Sequence, residues 1–227
     1  MLERVLEPEV MDSAAEASDY DAMDHSHVNQ LFVDDLLQLH HNFTNPERER
    51  GDEPTLLDVG TGTAQIPIAL CQKHPKVHIV AIDMAQHMLR VGKANVQRAG
   101  VTDRVRLQLC DAKRMPFADG AFDAVMSNSI VHHIPEPFVV FAEMTRVVKP
   151  GGFLFVRDLL RPVDDAALRS FVQKYAGDAN AHQQQMFADS LHAALTLGEV
   201  QAIVKRLGFA PAMVRQTSDR HWTFISG

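Results

Sequence analysis

The chain has 227 residues, and its hydrophobic fraction of 46% and charged fraction of 22% are those of an ordinary globular protein. This length predicts one domain, or one domain with a small cap. The net charge of −7 disfavours a sequence-independent nucleic-acid binder, which would present a basic face. The two cysteines are too few for a disulfide framework, and both stand in apolar runs, which is typical of a reducing compartment.

The start of the chain is acidic and contains few large apolar residues. We expect residues 1–19 to form a loosely held arm that packs on a partner or over the functional site. No apolar core of a secretory signal is evident, and no apolar run approaches the length of a membrane span. We therefore expect a cytoplasmic protein with no membrane partner.

An amphipathic helix and a surface connection follow the arm. The apolar stripe is interrupted by Asp35 and predicts a helix from about His27 to Phe43. Its members are Val28, Leu31, Phe32, Leu36 and Leu39. A charged, turn-forming stretch from Asn45 to Pro54 then leads into the first strand. We divide the chain accordingly into an N-terminal arm and helical cap, residues 1–53, and a main domain, residues 54–227.

Strand and helix patterns alternate from Pro54 onward, which indicates an α/β fold with a parallel sheet. The expected strands lie at 56–59, 77–82, 105–109, 122–126 and 153–156. The expected helices between them run from 66 to about 73, from 84 to near 100, and from 136 to 148.

The tail of the chain has a different pattern. Residues 164–175 and 181–195 are predicted to form helices over the top of the sheet. Thr196 and Glu199 form the signature of a capping box at the start of a further helix, which we expect to end at Gly208. Strands at 212–215 and 222–225 are joined by a short turn, so they should pair antiparallel.

A glycine-rich turn connects the first strand to its helix, in the order Asp58-Val59-Gly60-Thr61-Gly62-Thr63-Ala64. Glycines let a ligand approach the backbone, and the following helix start offers N–H groups and a positive dipole end. A dinucleotide fingerprint would have its third glycine at the place of Gln65, which opposes an NAD oxidoreductase. The alternative is a glycine turn without a ligand.

Acidic residues follow the next two strands. Asp83 can accept hydrogen bonds from both hydroxyls of a ribose, although an aspartate here is also a common helix N-cap. Asp111 follows the third strand, where a loop-capping role is the alternative. Together with Asp58, these carboxylates are expected to converge on one edge of the sheet.

The acid-x-Gly-x-Gly-x-small pattern, the three acids and Lys149-Pro150-Gly151-Gly152 together resemble class I S-adenosylmethionine (SAM) dependent methyltransferases. The likeness is to the small-molecule branch that includes quinone-biosynthesis methyltransferases. It implies a Rossmann-like, seven-stranded, mostly parallel sheet with an antiparallel last strand and helices on both faces. It also implies a helical lid insertion at about 160–195.

The resemblance implies SAM as cofactor, with S-adenosylhomocysteine (SAH) as product. The cofactor-binding residues that it implies are Tyr20, Asp58, Gly60, Thr61, Gly62, Asp83, Met84, Asp111, Ala112 and Asn128. Met84 could equally be a core residue. Ala64 replaces the third glycine of the family and is expected to leave a methyl group near the cofactor.

The expected acceptor is a small molecule, since no Asn/Asp/Ser-Pro-Pro-aromatic run follows the fourth strand, as it does in enzymes that methylate amino groups of bases. A SAM-binding regulator or partner subunit without chemistry is the alternative function. The sequence does not decide whether the chain forms a homodimer.

His132 and His133 follow the fourth strand and are the candidate catalytic bases, because their pKa is close to neutral. The alternative is that one packs against a helix and the other caps a loop. No metal site is expected, because His25 and His27 lack the accompanying ligands of a known site, as do His40 and His41. For Arg157 and Asp158, a surface ion pair is favoured over contact with an anionic acceptor.

Overall fold

The computed structural model describes residues 2–10, 12–23, 25–39 and 53–227. A seven-stranded sheet forms its centre, in the order β3-β2-β1-β4-β5-β7-β6. The strands are β1 Thr55–Val59, β2 His78–Asp83, β3 Val105–Leu109, β4 Phe122–Asn128, β5 Val148–Leu159, β6 Val214–Gln216 and β7 His221–Ser226. Among the described helices, none is long and apolar enough to cross a bilayer.

The first five strands pair parallel, and β7 runs antiparallel between β5 and β6. This is the mostly parallel, Rossmann-like sheet with an antiparallel last strand that the sequence predicts, so the fold class is confirmed. Because β1 lies between β2 and β4, the connections after β1 and after β3 leave in opposite directions. The carboxyl ends of these strands therefore border a crevice, which is where α/β sheets bind ligands.

Helices cover both faces of this sheet. They are α1 Ala14–Ala22, α2 Ser26–Leu39, α3 Gln65–Lys73, α4 Gln86–Arg98, α5 Pro137–Val147, α6 Asp165–Ala176, α7 Ala181–Ala193 and α8 Leu197–Arg206. A short 3₁₀ helix, Val131–His133, follows β4.

Alternating side chains of the central strands build two separate cores, because successive residues of a strand point to opposite faces. Leu56 belongs to the core that contains Phe32 of α2 and Leu70 of α3. Its neighbour Leu57 belongs to the other core, with Phe141 of α5 and Val200 of α8.

The N-terminal segment departs from the expected loose arm. Helix α1 begins at Ala14, and a capping box between Ser13 and Glu16 stabilises its N-terminus. The sequence prediction missed this signal. The capping box of Thr196 and Glu199 was predicted and starts α8. The predicted end of α2 near Phe43 lies outside the described residues. The strand β5 is longer than expected, since it begins before Gly151 and continues to Leu159.

The division into a cap, residues 1–53, and a main domain, residues 54–227, stays a prediction. The hairpin of α6 and α7 lies within the expected lid insertion and has a small hydrophobic cluster of its own, centred on Leu168 and Leu191.

Candidate active site

A hollow lies at the carboxyl ends of β1, β2, β3 and β4. Nine of the residues proposed from the sequence line it: Tyr20, Gly60, Gly62, Asp83, Met84, Asp111, Ala112, Asn128 and His133. Asp58, Thr61 and His132 lie outside its described lining. The crevice of the sheet thus gathers most of the expected residues around one space.

The glycine turn is shaped by close contacts. Gly60 has a φ of +77°, and a Cβ added to it would lie 2.0 Å from Cγ2 of Ile130. A side chain at this position is therefore excluded both by backbone conformation and by space. Gly62 has a φ of +53°, and a Cβ there would lie 3.6 Å from the ring of Tyr20.

Three amide groups of this turn are engaged by other residues of the protein. The N–H groups of Gly60 and Thr61 both donate to the carbonyl oxygen of Ile82, at 2.9 Å. The N–H of Gly62 donates to Oδ2 of Asp83 at 2.7 Å. These bonds fix the turn to the end of β2, so the turn is preformed.

Asp83 joins the glycine turn to helix α4. Its Oδ1 accepts a hydrogen bond from the N–H of Ala85 at 2.8 Å, while Oδ2 accepts from Gly62. Burial raises the pKa of this carboxyl group, and the backbone donors partly counter that effect. A carboxylate has about four acceptor sites, so Asp83 can serve the turn and still accept from a ligand.

Asp58 lies beneath the turn and is only 2% exposed. Its Oδ2 has no hydrogen-bond partner in the described part of the chain. Burial, reinforced by the nearby charge of Asp83, raises the pKa of Asp58 to about 7. Asp58 therefore contributes a buried, titrating charge below the hollow rather than part of its wall.

Asp111 is paired with the N-terminal arm through a lysine. Its Oδ1 accepts from the N–H of Lys113 at 2.9 Å and lies 3.2 Å from Nζ of the same residue. That ammonium also pairs with Glu9 of the arm. Glu9 and Val10 line the hollow, so the arm covers it, which is one of the two expected placements.

Ala64 does not bring a methyl group to the hollow, contrary to expectation. It is fully buried, adopts a left-handed φ of 64° and packs against α4. A Cβ added to Gly92 of α4 would lie 3.4 Å from the Cβ of Ala64 and 3.2 Å from the carbonyl carbon of Thr63. The glycine that permits close packing here thus stands on the neighbouring helix.

Gln65, in the place of the third dinucleotide glycine, ties three helices together. Its Oε1 accepts from Nδ2 of Asn29 at 3.0 Å, and its Nε2 donates to Oδ1 of Asp21 at 3.2 Å. Asp21 also accepts from Nδ2 of Asn95 at 2.8 Å. A polar side chain at position 65 holds α1 and α2 against α3.

The two candidate catalytic histidines have different environments. His133 lines the hollow, and burial, aided by His132, lowers its pKa to about 3. His132 is buried, and its Nδ1 lies 2.5 Å from Oδ1 of Asp158. Burial alone would lower the pKa of His132, but the Asp158 carboxylate holds it above the usual value.

The expected surface ion pair of Arg157 and Asp158 is wrong. Asp158 is fully buried and accepts from the N–H groups of Val131 and Leu159, at 2.6 Å each. Arg157 instead pairs with Asp35 of α2 at 2.6 Å. Successive residues of a strand point to opposite faces, which explains why these two neighbours take different partners.

The arm also supplies residues that the sequence prediction missed. Oε1 of Glu7 lies 3.1 Å from Nδ1 of His133 and 3.5 Å from Nε2 of His132. Arg4 donates to the carbonyl oxygens of Ala193 at 2.7 Å and of His132 at 3.1 Å. No local pattern marks these residues, because their partners lie more than a hundred positions away.

Comparison with known proteins agrees with this geometry. Residues 57–156 match the family model described as "Methyltransferase domain". The chain is 27% identical, over 72% of its length and 56% of the relative's, to 27-O-demethylrifamycin SV methyltransferase of Amycolatopsis mediterranei. It is 32% identical to a ubiquinone/menaquinone biosynthesis C-methyltransferase of Desulfotalea psychrophila, over 53% of this chain and 47% of that protein. The chain thus spans about half the length of these curated relatives.

A solved structure shares the fold over nearly the whole chain. It is a putative S-adenosyl-L-methionine-dependent methyltransferase from Methanococcus maripaludis, with a TM-score of 0.67 and 17% identity. The alignment covers 97% of this chain and 95% of that one. The match of residues 57–156 to the methyltransferase domain model, the sheet order and the glycine turn all agree with one another.

Proposed function

We propose that the protein transfers a methyl group from SAM to a small-molecule acceptor. The observation that carries this proposal is the hollow at the strand ends, where two glycines without side chains face the carboxylates of Asp83 and Asp111. Because glycine has no side chain, a ligand that joins a nucleoside to an amino acid can approach the protein backbone closely there. Carboxylates accept hydrogen bonds from hydroxyl and amino groups.

The polar and apolar side chains of the hollow fit the chemical groups of SAM. Asp83, at the end of β2, would accept from the ribose hydroxyls, and Asp111 would lie near the adenine amino group. Met84, which is 46% exposed and lines the hollow, offers a polarisable apolar surface to a base. The unpartnered carboxylate oxygen of Asp58, among the described residues, gives a negative potential beneath the turn that suits an ammonium group.

The acceptor is proposed to bind between the arm and the hairpin of α6 and α7. A cleft of about 940 Å³ lies there, within the size range of small-molecule sites. Its walls mix aliphatic side chains with amides and a few charges: Val5, Leu6, Glu7, Leu168, Arg169, Val172, Gln173, Gln184, Gln185 and Asp189. Such a lining suits an acceptor of moderate size with both apolar and polar groups.

The chemistry is proposed to take place between this cleft and the hollow, at the contact of Glu7 with His133. Glu7 lines the cleft, His133 lines the hollow, and the two side chains lie 3.1 Å apart. The cofactor supplies an activated methyl group on a sulfonium. Side chains on both sides would position the acceptor in line with this methyl group. Such positioning lowers the activation barrier by up to about 7–11 kcal/mol.

His133 and His132 are proposed to manage the proton of the acceptor. His133 stands at the junction and is the nearer of the two, whereas His132 is held by Asp158 behind it. A general base contributes roughly 10²–10⁴-fold, most when its pKa lies near the working pH. Burial keeps His133 neutral and so free to receive a proton, but its pKa of about 3 holds its contribution toward the lower figure. A hydroxyl or acidic carbon acceptor would need this help, because it must lose a proton when methylated.

We further propose a cytoplasmic location and no nucleic-acid or membrane partner. The two cysteines, Cys71 and Cys110, are free and buried, which supports a reducing compartment.

Calorimetric titration of the full chain with SAM, SAH and NAD tests the proposal, followed by mass spectrometry of acceptor mixtures incubated with SAM. We expect one site for SAM and SAH, no heat from NAD, and an acceptor product 14 mass units heavier (about one CH₂). Binding of NAD without SAM would contradict the proposal. SAM binding with no methylated product from a whole-cell small-molecule extract would favour the non-catalytic alternative.

A further inference from the structure

A compact group of three metal-binding side chains lies beside the hollow. Glu7 comes from the arm, and His132 and His133 come from the 3₁₀ helix after β4. One ligand atom from each lies within 4.8 Å of the others, and His132 is buried while the other two are half-buried. The group was missed by sequence analysis because Glu7 is remote in the chain.

The spacing of these atoms fits ligands of one shared ion. Metal bonds to imidazole nitrogen and carboxylate oxygen are about 2.0–2.2 Å long, so two such ligands on one ion lie roughly 3.0–3.6 Å apart. Oε1 of Glu7 lies 3.1 Å from Nδ1 of His133 and 3.5 Å from Nε2 of His132.

Two of the three side chains have unsatisfied atoms aimed at this space. Oε1 of Glu7 and Nδ1 of His133 are buried and lie 3.1 Å apart, yet neither forms a hydrogen bond of acceptable geometry, with the other or with any described residue. Buried polar atoms are nearly always partnered, so each orphan calls for an explanation, and an ion between them supplies one.

His132 has the outer partner that a metal-binding histidine requires. Its Nδ1 lies 2.5 Å from Oδ1 of Asp158, whose other oxygen is fixed by the N–H of Val131. A proton on Nδ1 leaves the lone pair of Nε2 directed towards Glu7. Carboxylate–histidine–metal arrangements of this kind fix the ring and make it a better ligand.

The local charge permits a divalent cation. Glu7 and Asp158 carry the negative charges next to the rings, and Asp189 lies farther out. Arg4 is a nearby cation, and its guanidinium donates to the carbonyl oxygens of His132 and Ile134, at 3.1 Å each. Arg161 lies close to Arg4 and pairs with Glu199.

We propose that Glu7, His132 and His133 bind one divalent first-row transition-metal ion, with Zn²⁺ as the natural occupant. Two imidazoles and one carboxylate suit zinc, cobalt or iron(II), whereas magnesium and calcium prefer oxygen ligands. His133 lines the hollow, so the open coordination positions face the cofactor side. The site departs from the expectation of no metal. A ring nitrogen that binds the ion cannot also receive the acceptor's proton, so metal binding by His132 and His133 is an alternative to their proposed role as bases, and ion binding does not require methyl transfer.

Cobalt(II) is the probe for the test, because its visible absorption reports the ligands. The full chain, free of any affinity tag, is dialysed against a chelator and titrated with CoCl₂, and then with ZnCl₂. We expect an absorption that saturates at one Co²⁺ per chain and is removed by Zn²⁺. Glu7→Gln and His133→Gln, which keep the side-chain size, should each weaken Co²⁺ binding at least roughly tenfold.

His78→Gln is the matched control, since His78 is an exposed histidine at the start of β2, and it should titrate like the wild type. Circular dichroism and SAH titration of each variant show that the fold and the cofactor site persist, so failure of this inference is separate from failure of the proposed function. No saturable absorption in the wild type, or an absorption unchanged in both Glu7→Gln and His133→Gln, would overturn the proposal.

Discussion

The two halves of the site are built in different ways. The glycine turn and Asp83 belong to one β1-α3-β2 unit, and amide groups of the turn donate to the carbonyl oxygen of Ile82 and to the side chain of Asp83. The junction of Glu7, His133 and Asp158 is assembled from segments far apart in sequence and is joined through side chains. The glycine turn is fixed by backbone conformation, whereas the group around Glu7 and His133 forms only when the N-terminal arm is packed against the sheet.

The largest expected effect belongs to the junction. His133→Ala should lower turnover roughly 10²–10⁴-fold on any acceptor that is methylated, because it removes the group nearest the reacting atoms. SAH affinity should change far less than turnover, since the carboxylates proposed to bind the nucleoside, Asp83 and Asp111, lie at the ends of β2 and β3. Steady-state kinetics and calorimetry measure the two quantities, with His78→Gln as control. Equal turnover in both variants would remove His133 from the mechanism.

A side chain introduced at Gly60 should disrupt the glycine turn. Gly60→Ala places a Cβ 2.0 Å from Ile130 at a φ of +77°, whereas Gly100→Ala meets a similar φ of +69° with no described atom within 4 Å. Left-handed strain costs about 1–2 kcal/mol in both, and overpacking adds about 1–3 kcal/mol in Gly60→Ala alone. Urea unfolding should show this difference, and only Gly60→Ala should lose SAH binding. Equal stability losses would show that the turn moves freely away from Ile130.

The sequence predicts the first half of the site far better than the second. The order of glycines and acids around Asp58 and Asp83 is a local pattern, and the strand rule then brings their ends together. Glu7 and Arg4 lie in an acidic arm without periodicity, and their partners are decided only by tertiary packing. The expected Arg157–Asp158 ion pair failed for a related reason, because burial depended on how β5 packs against the 3₁₀ helix. The direction of the Ala64 methyl also depended on a neighbouring helix.

A buried charge beneath the glycine turn gives a pH dependence of stability. The pKa of Asp58 is about 7 in the folded chain against an ordinary 3.8, so the folded state binds the extra proton between these values. The contribution of Asp58 to the free energy of unfolding therefore falls as the pH rises from about 4 to 7, and it is constant above pH 7. Asp58→Asn should raise the free energy of unfolding at pH 8, by at most about 4 kcal/mol, and by less at pH 5.

Urea unfolding of both proteins at pH 5 and pH 8 provides this measurement. Asp103→Asn, at an exposed position after α4, is the control and should leave the pH dependence unchanged. A pH dependence that persists in Asp58→Asn would assign it to another group.

The smallest expected effect concerns the attachment of the arm. Arg4→Ala removes charge-assisted hydrogen bonds to four backbone carbonyls and should cost about 1–3 kcal/mol, seen as faster amide exchange in residues 2–10. Lys174→Ala breaks an exposed pair with Asp219 and should change stability much less, because water and salt screen such pairs. If the two variants exchange alike, the arm is held by other contacts.

The central claim is that the end of β2 binds the cofactor through Asp83. The most direct test is the SAH dissociation constant of the wild type, Asp83→Asn and Asp103→Asn, measured by calorimetry at one pH and one salt concentration. We predict roughly 10- to 100-fold weaker binding for Asp83→Asn and unchanged binding for Asp103→Asn, because Asp83, unlike Asp103, lines the hollow and can accept charge-assisted bonds from a ribose there. An Asp83→Asn variant that binds SAH as tightly as the wild type would contradict it.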